Sequence, residues 1–176
     1  MNIIVLGAPG SGKSTQAELL AKFMGVPCLE TSNLLYYLSQ ENSKVGQEIK
    51  KTMESGDLVE DELTIETMSG QLKSPNYKNG VVIDGFPRSL TQAQKFKFPV
   101  DKVLYIEVSD KENTKRLLKR GRKDDTAELI KKRLEIYHQE TEPVLEFYRQ
   151  KGILLEINGE QPVSTIHQEI LKNLGS

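Results

Sequence analysis

The chain has 176 residues and is nearly neutral, 24 Lys plus Arg against 25 Asp plus Glu for a net charge of −1, so it suits one well-buried domain and carries no global field to recruit nucleic acid or an anionic membrane. Cys28 is the only cysteine, which excludes an intramolecular disulfide framework, fits a reducing compartment, and leaves a small buried apolar residue after Pro27 as its expected role. No run approaches the roughly 18 apolar residues of a membrane span and no basic segment precedes a long apolar one, so a soluble, cytoplasmic protein is expected.

Short apolar runs alternate with amphipathic stretches, the pattern of an α/β domain with a parallel sheet. Residues 2–6 form the first strand candidate and 15–24 the first helical pattern. Between them Gly7-Ala8-Pro9-Gly10-Ser11-Gly12-Lys13-Ser14 fits the phosphate-binding pattern G-x-x-x-x-G-K-[ST] in its strand-to-helix setting. The glycines allow backbone amides to turn inward on an anion, and the new helix adds its positive end. Lys13 is a mobile cation for outer phosphates, and the Ser14 hydroxyl is a hard oxygen suited to Mg²⁺.

A second strand is expected over 27–30, followed by helices over 33–40, 45–54 and 62–72 before the third strand at 81–84. Roughly fifty residues for that connection is far more than the dozen or so a simple crossover needs, which points to an inserted helical lobe. Glu60-Asp61-Glu62 reads as a helix start, and Gly56 and Asn79-Gly80 as ends or turns. The third strand ends in Asp84, and carboxyl ends of parallel strands are where such sheets hold ligands. Alone, that Asp is a turn or cap residue as readily as a metal partner; with the loop at 7–14 it becomes a Mg²⁺ partner.

A short helix over 91–96 precedes the fourth strand, 103–108, and a helix over 111–119 places Arg116 and Arg120 four apart on one face. Such like-charge neighbours cost a few tenths of a kcal/mol unless an anion joins them. A solvated basic face balanced by Asp124 and Asp125 is the other reading. No stacking aromatics surround Lys119 to Lys123, so nucleic acid is not an expected partner. The pattern over 127–149 is long for one helix, and Pro143 should bend or divide it near Thr141. A fifth strand over 153–157 and a helix over 163–174 complete the chain. His138 and His167 have no metal-ligand spacing and read as structural or surface residues.

The stretches GAPGSGKSTQAELLA at 7–21, DGFPRSLTQAQ at 84–94 and RLLKRGRKDD…KKRLEIYHQETEPVLEFY between 116 and 148 make the chain resemble the adenylate kinase family of nucleoside monophosphate kinases over nearly its whole length. The resemblance implies a three-layer P-loop kinase fold, a five-stranded parallel sheet flanked by helices. It also implies a single domain over 1–176 with a monophosphate-binding lobe over 31–60 and a lid. The implied reaction is reversible, ATP·Mg plus a nucleoside monophosphate giving two diphosphates, by a chain expected to be monomeric. By resemblance, Gly10, Ser11, Gly12, Lys13, Ser14 and Thr15 would hold the ATP phosphates, with Ser14 and Asp84 at the Mg²⁺. Arg116 and the backbone near Gln161 would meet the ATP adenine. Thr31, Gln92 and the backbone of Asp57, Leu58 and Val59 would face the acceptor base, with Gly85, Phe86, Pro87 and Arg88 at the acceptor phosphate. Arg120, Arg122 and Arg133 would surround the transferred group.

Two departures stand out. Where the family places a lid between two arginines, only Gly121 separates Arg120 from Arg122; the residual lid is 120–122, no structural zinc is expected, and transfer to water becomes a risk. Tyr36 stands where the family's Thr-Gly-Asp-Leu-Leu-Arg pattern has its arginine, so a charged clamp becomes one neutral hydroxyl or a merely packed aromatic. A packed lobe is also the simpler reading of Tyr36-Tyr37 together. AMP is the favoured acceptor. UMP, CMP or a deoxynucleotide, or a nucleotide-binding regulatory protein with little turnover, are the alternatives.

Overall fold

The structure is a computed structural model that describes residues 1–175. Five strands, β1 (Asn2–Leu6), β2 (Cys28–Glu30), β3 (Val81–Asp84), β4 (Lys102–Glu107) and β5 (Leu154–Asn158), form one all-parallel sheet in the order β2-β3-β1-β4-β5. The helices are α1 (Lys13–Met24), α2 (Thr31–Ser39), α3 (Lys44–Glu54), α4 (Asp61–Gln71), α5 (Leu90–Lys95), α6 (Asp110–Arg120), α7 (Ala127–Ile136), α8 (Glu142–Gln150) and α9 (Val163–Leu174).

Side-chain alternation along β1 builds the three layers. Ile3 and Val5 face α1 and α9, packing on Ala17, Leu20, Ile166 and Ile170. Ile4 and Leu6 face the other way, onto a core with Met68 of α4, Ala93 of α5 and Val144, Leu145 and Tyr148 of α8. Because β1 is central and buried on both faces, it reads as an unbroken apolar run. Cys28 is half-buried beside the α1 layer, and that burial pushes its thiol up to about 12. Among the described residues no helix is long and apolar enough to cross a membrane.

The strands lie within one residue of their expected limits. Helix starts differ more. α1 begins at Lys13 rather than 15 because Gly12, at φ 86°, turns the loop straight into the helix, and α2 begins at Thr31 rather than 33. Both early turns are polar, so apolar periodicity carries no signal there. The long pattern over 127–149 is divided as Pro143 requires. α7 and α8 are separated by a π-helical turn, Tyr137–Thr141, in which Glu142 N–H reaches back to the Tyr137 carbonyl. Pro143 has no N–H to donate, so the ladder widens one turn before it. A 3₁₀ turn, Pro75–Tyr77, was not signalled by periodicity.

α2 and α3 pack on each other around a small core of their own, Leu35, Ile49 and Val59 with Leu38, Met53 and Leu63. Gly121 caps α6 at φ 66°, and the chain turns into α7 through the Asp125 N–H to Arg122 carbonyl bond at 2.9 Å.

Candidate active site

The loop after β1 is shaped by glycine where it comes closest to its neighbours. Gly10 has φ 88°, and a Cβ there would lie 2.7 Å from the Asn113 carbonyl of α6. The Ser11 hydroxyl is buried with no partner, and Lys13 opens α1 half-buried. Burial pulls the Lys13 ammonium below the ordinary lysine value. Asp84 opposes that by favouring the charge, Arg88 adds to it, and Glu30 and Arg120 contribute in the same two senses. Four charged groups from three segments, at or just beyond the ends of β2, β3 and α6, therefore act on this lysine.

β3 is paired directly with β1, so its end opens beside that loop. Asp84 is 2% exposed, and its Oδ1 has no hydrogen-bond partner among the described residues. Its backbone carbonyl accepts from the Thr31 hydroxyl at 3.0 Å. Gly85, at φ 72°, lets the Arg88 guanidinium fold back, with Nε donating to the Gly85 carbonyl at 2.7 Å. Phe86 is fully buried, and the Phe86–Pro87 peptide is cis. Burial lowers the Arg88 guanidinium from its ordinary value, opposed by Asp84 and Glu30 and reinforced by Arg133. Gln92 is 2% exposed and already engaged: its oxygen accepts from Arg88 N–H at 2.7 Å and its amide donates to Asp61 Oδ1 at 2.8 Å.

α6 and α7 deliver the remaining cations. Arg116 donates to Glu112 at 3.0 Å, to the Ser11 carbonyl at 3.4 Å and to the Gly159 carbonyl at 3.0 Å, joining the loop after β1 to the loop after β5. Gln161, in that second loop, is tied to Glu169 at 3.3 Å. Arg120 makes two bonds to Asp125, and Arg133 binds Asp124 at 2.6 Å and approaches Asp125 at 3.8 Å. Asp124 and Asp125 thus fasten Arg120 and Arg133, whereas Arg116 of the balanced-face reading pairs with Glu112. They leave the Arg122 guanidinium without a carboxylate partner among the described residues.

The α2–α3 side differs from one sequence-based expectation. Tyr36 and Tyr37 are 54% and 72% exposed, with rings 6.3 Å apart edge to face, so neither is a packed lobe aromatic. On α2 the buried stripe runs through Thr31, Leu35 and Ser39, which leaves both tyrosines on the outer face. Asp57 meets Ser55 and Lys132 of α7, while Val59 is buried in the small core.

Sequence reasoning missed Glu30 and Asp61. Glu30 sits opposite Asp84 in the β2–β3 register and accepts from Ser32 at 3.0 Å and Asn33 at 2.5 Å. The rule that singled out Asp84, an acid closing a parallel strand, applied equally to Glu30. Asp61 gave no local signal beyond a helix start, because its partner Gln92 lies 31 residues away. A cleft of about 480 Å³ lined by Tyr105, His138, Glu142 and Arg149 shares no residue with this constellation.

A family model described as adenylate kinase matches residues 5–153. An adenylate kinase of Prochlorococcus marinus (strain MIT 9211) is 41% identical over 180 residues, covering 98% of this chain and 96% of that one. One from Trichodesmium erythraeum is 38% identical over 182 residues, covering 97% and 95%. One from Caldicellulosiruptor saccharolyticus is 34% identical over 213 residues, covering 99% of both. A glycine-shaped loop beside a buried strand-end Asp, a lysine coupled to arginines from other segments, and likeness along nearly the full chain agree: the chain belongs to the adenylate kinase family.

Proposed function

We propose that this enzyme moves the γ-phosphoryl group of ATP·Mg to AMP, reversibly, giving two ADP. The observation that carries the reading is Lys13 sharing its surroundings with Arg88 and Arg120, from three segments, on a loop shaped by Gly10 and Gly12. Phosphoryl transfer asks a protein for positioning and charge neutralisation, because the acceptor phosphate brings its own nucleophile. An AMP phosphate oxygen forms the new bond to the γ-phosphorus as its bond to the bridging oxygen breaks, and ADP leaves with that electron pair.

In this reading Gly10 to Thr15 cradle the phosphates and Lys13 follows the charge. Arg88 orients the acceptor phosphate, and Arg120, Arg122 and Arg133 neutralise the migrating group. Arg116, braced between the Ser11 and Gly159 carbonyls, presents its flat face to the donor base. The α2–α3 lobe, residues 31–60, takes the acceptor through Thr31 and the backbone of 57–59. Ser14 and Asp84 form a hard-oxygen pair that fits Mg²⁺, the unpartnered Asp84 oxygen being the observation in its favour. When bound there, such an ion would supply charge neutralisation to the donor phosphates.

Each relative described above is called an adenylate kinase, which favours AMP over UMP, CMP or a deoxynucleotide. The test is a coupled assay with ATP·Mg and a panel of monophosphates. ADP formation fastest with AMP is the expected result; no diphosphate from any acceptor would leave a nucleotide-binding protein without turnover.

A further inference from the structure

We propose that Asp61, outside every role given above, is the positioning residue that sets base selectivity by fixing which way the Gln92 amide faces. The inference rests on AMP being the acceptor and on Gln92 meeting its base. A glutamine amide can be turned either way in its socket, and its two orientations offer opposite patterns to a ligand. Here chemistry chooses one. The Asp61 carboxylate only accepts, so the amide nitrogen must face it, at 2.8 Å. The Arg88 backbone N–H only donates, so the amide oxygen must face it, at 2.7 Å. Asp61 is itself held, because the same Oδ1 accepts from Ser89 at 2.7 Å, and the Ser89 hydroxyl in turn caps α5 by accepting from Gln92 N–H at 3.1 Å. The whole set is buried or half-buried across the α4–α5 contact, where water competes poorly.

One N–H and one oxygen lone pair of Gln92 remain uncommitted, in a set order. Adenine offers the complement on its Watson–Crick edge, an accepting N1 beside a donating 6-amino group. A 6-oxopurine offers the reverse, a donating N1–H beside an accepting oxygen, and would need the amide turned over. Turning it would set the amide oxygen against the Asp61 carboxylate and the amide N–H against the Arg88 N–H. A buried site that must leave polar groups unpaired to admit the wrong ligand rejects it strongly. Asp61, adding to the Arg88 N–H, thereby converts an ambiguous reader into one for 6-aminopurines.

The test compares kcat/KM for AMP and IMP, which differ only at that edge, in the unmodified enzyme, Asp61→Asn and Asp61→Glu. An asparagine can offer its own N–H to a turned Gln92 oxygen, so it removes one of the two mismatches and leaves only the one at the Arg88 N–H. The expected result is a preference for AMP over IMP of about a hundredfold or more, narrowed about tenfold in Asp61→Asn and recovered at least in part in Asp61→Glu. An equal loss on both substrates, with the ratio unchanged, would make Asp61 a purely structural residue and overturn the proposal. Absence of turnover with AMP in the unmodified enzyme would instead strike the proposed function. Should Asp61→Asn fail to fold, the Gln92 side-chain amide of the unmodified protein is read by ¹⁵N NMR. Slow exchange of one amide proton, with the other shifting on AMP and not on IMP, supports the fixed orientation. Rapid exchange of both, or equal shifts with either nucleotide, refutes it.

Discussion

Arg120 grips Asp125 through two parallel bonds, Nε to Oδ2 at 2.8 Å and Nη2 to Oδ1 at 2.7 Å, and the Asp125 side chain is wholly buried beneath it. Oδ2 also accepts from the Arg122 N–H at 3.1 Å, so one carboxylate organises the turn between α6 and α7. In the proposed function the Arg120 guanidinium is held in place before any nucleotide arrives, which would lower the entropy lost on binding.

Asp125→Asn keeps the shape of that turn and removes its charge. Turnover is expected to fall about tenfold as Arg120 loses its support, and stability by ~1 kcal/mol, since the arginine is partly exposed and its pairing screened. Arg120 holds the Asp125 carboxyl below the usual aspartate range, so this contribution is present above about pH 4 and lost as pH falls through the lowered value. Steady-state kinetics and thermal melts at pH 7 and pH 3 check both parts; unchanged turnover would mean Arg120 is positioned without Asp125.

Tyr36→Arg places a charged fork on the exposed face of α2 with no core strain, because the tyrosine is more than half exposed. The Michaelis constant for AMP should drop about three- to tenfold, the lower part of what charge-assisted bonds supply. An equal or higher constant would show that the acceptor phosphate is held without this position.

With Gly121 alone between Arg120 and Arg122, no segment there is long enough to cover a bound triphosphate. Slow hydrolysis is expected, water replacing the acceptor oxygen and ADP leaving with inorganic phosphate as the other product. Phosphate release measured with ATP·Mg and no acceptor should exceed the uncatalysed background and fall when AMP is added. A negligible rate would mean that water is excluded by other parts of the cleft.

His138 lies between two acids, Nδ1 2.9 Å from Glu142 and Nε2 2.9 Å from Asp110. Only the doubly protonated ring can donate to both, and those bonds raise its affinity for the second proton. The stabilisation it gives between α6 and the start of α8 is complete below about pH 6.5 and is lost as pH rises through the raised value. Melting His138→Gln beside the unmodified protein at pH 6 and pH 9 should show a gap at the lower pH that closes at the higher. A gap of the same size at both would mean the ring acts by packing alone.

Most of the architecture was legible because it is encoded locally. The five strands are short apolar runs, and the division at Pro143 follows from a missing N–H. The exposure of Tyr36 and Tyr37 was not legible in the same way. Aromatic residues on a helix read as core until a partner face is known, and α2 turns its other side to α3.

The loop at 7–15 and the Asp closing β3 were determined by sequence alone, since turn geometry and strand ends are set within a few residues of chain. Tertiary structure alone decided that Glu30 faces Asp84 across two strands, that Asp61 on α4 meets an amide on α5, and that Arg122 has no acid partner among the described residues. Those pairings depend on sheet register and on how helices from distant parts of the chain dock. No local pattern records that information, because each partner is ordinary in its own neighbourhood and becomes specific only when folding removes the water between them.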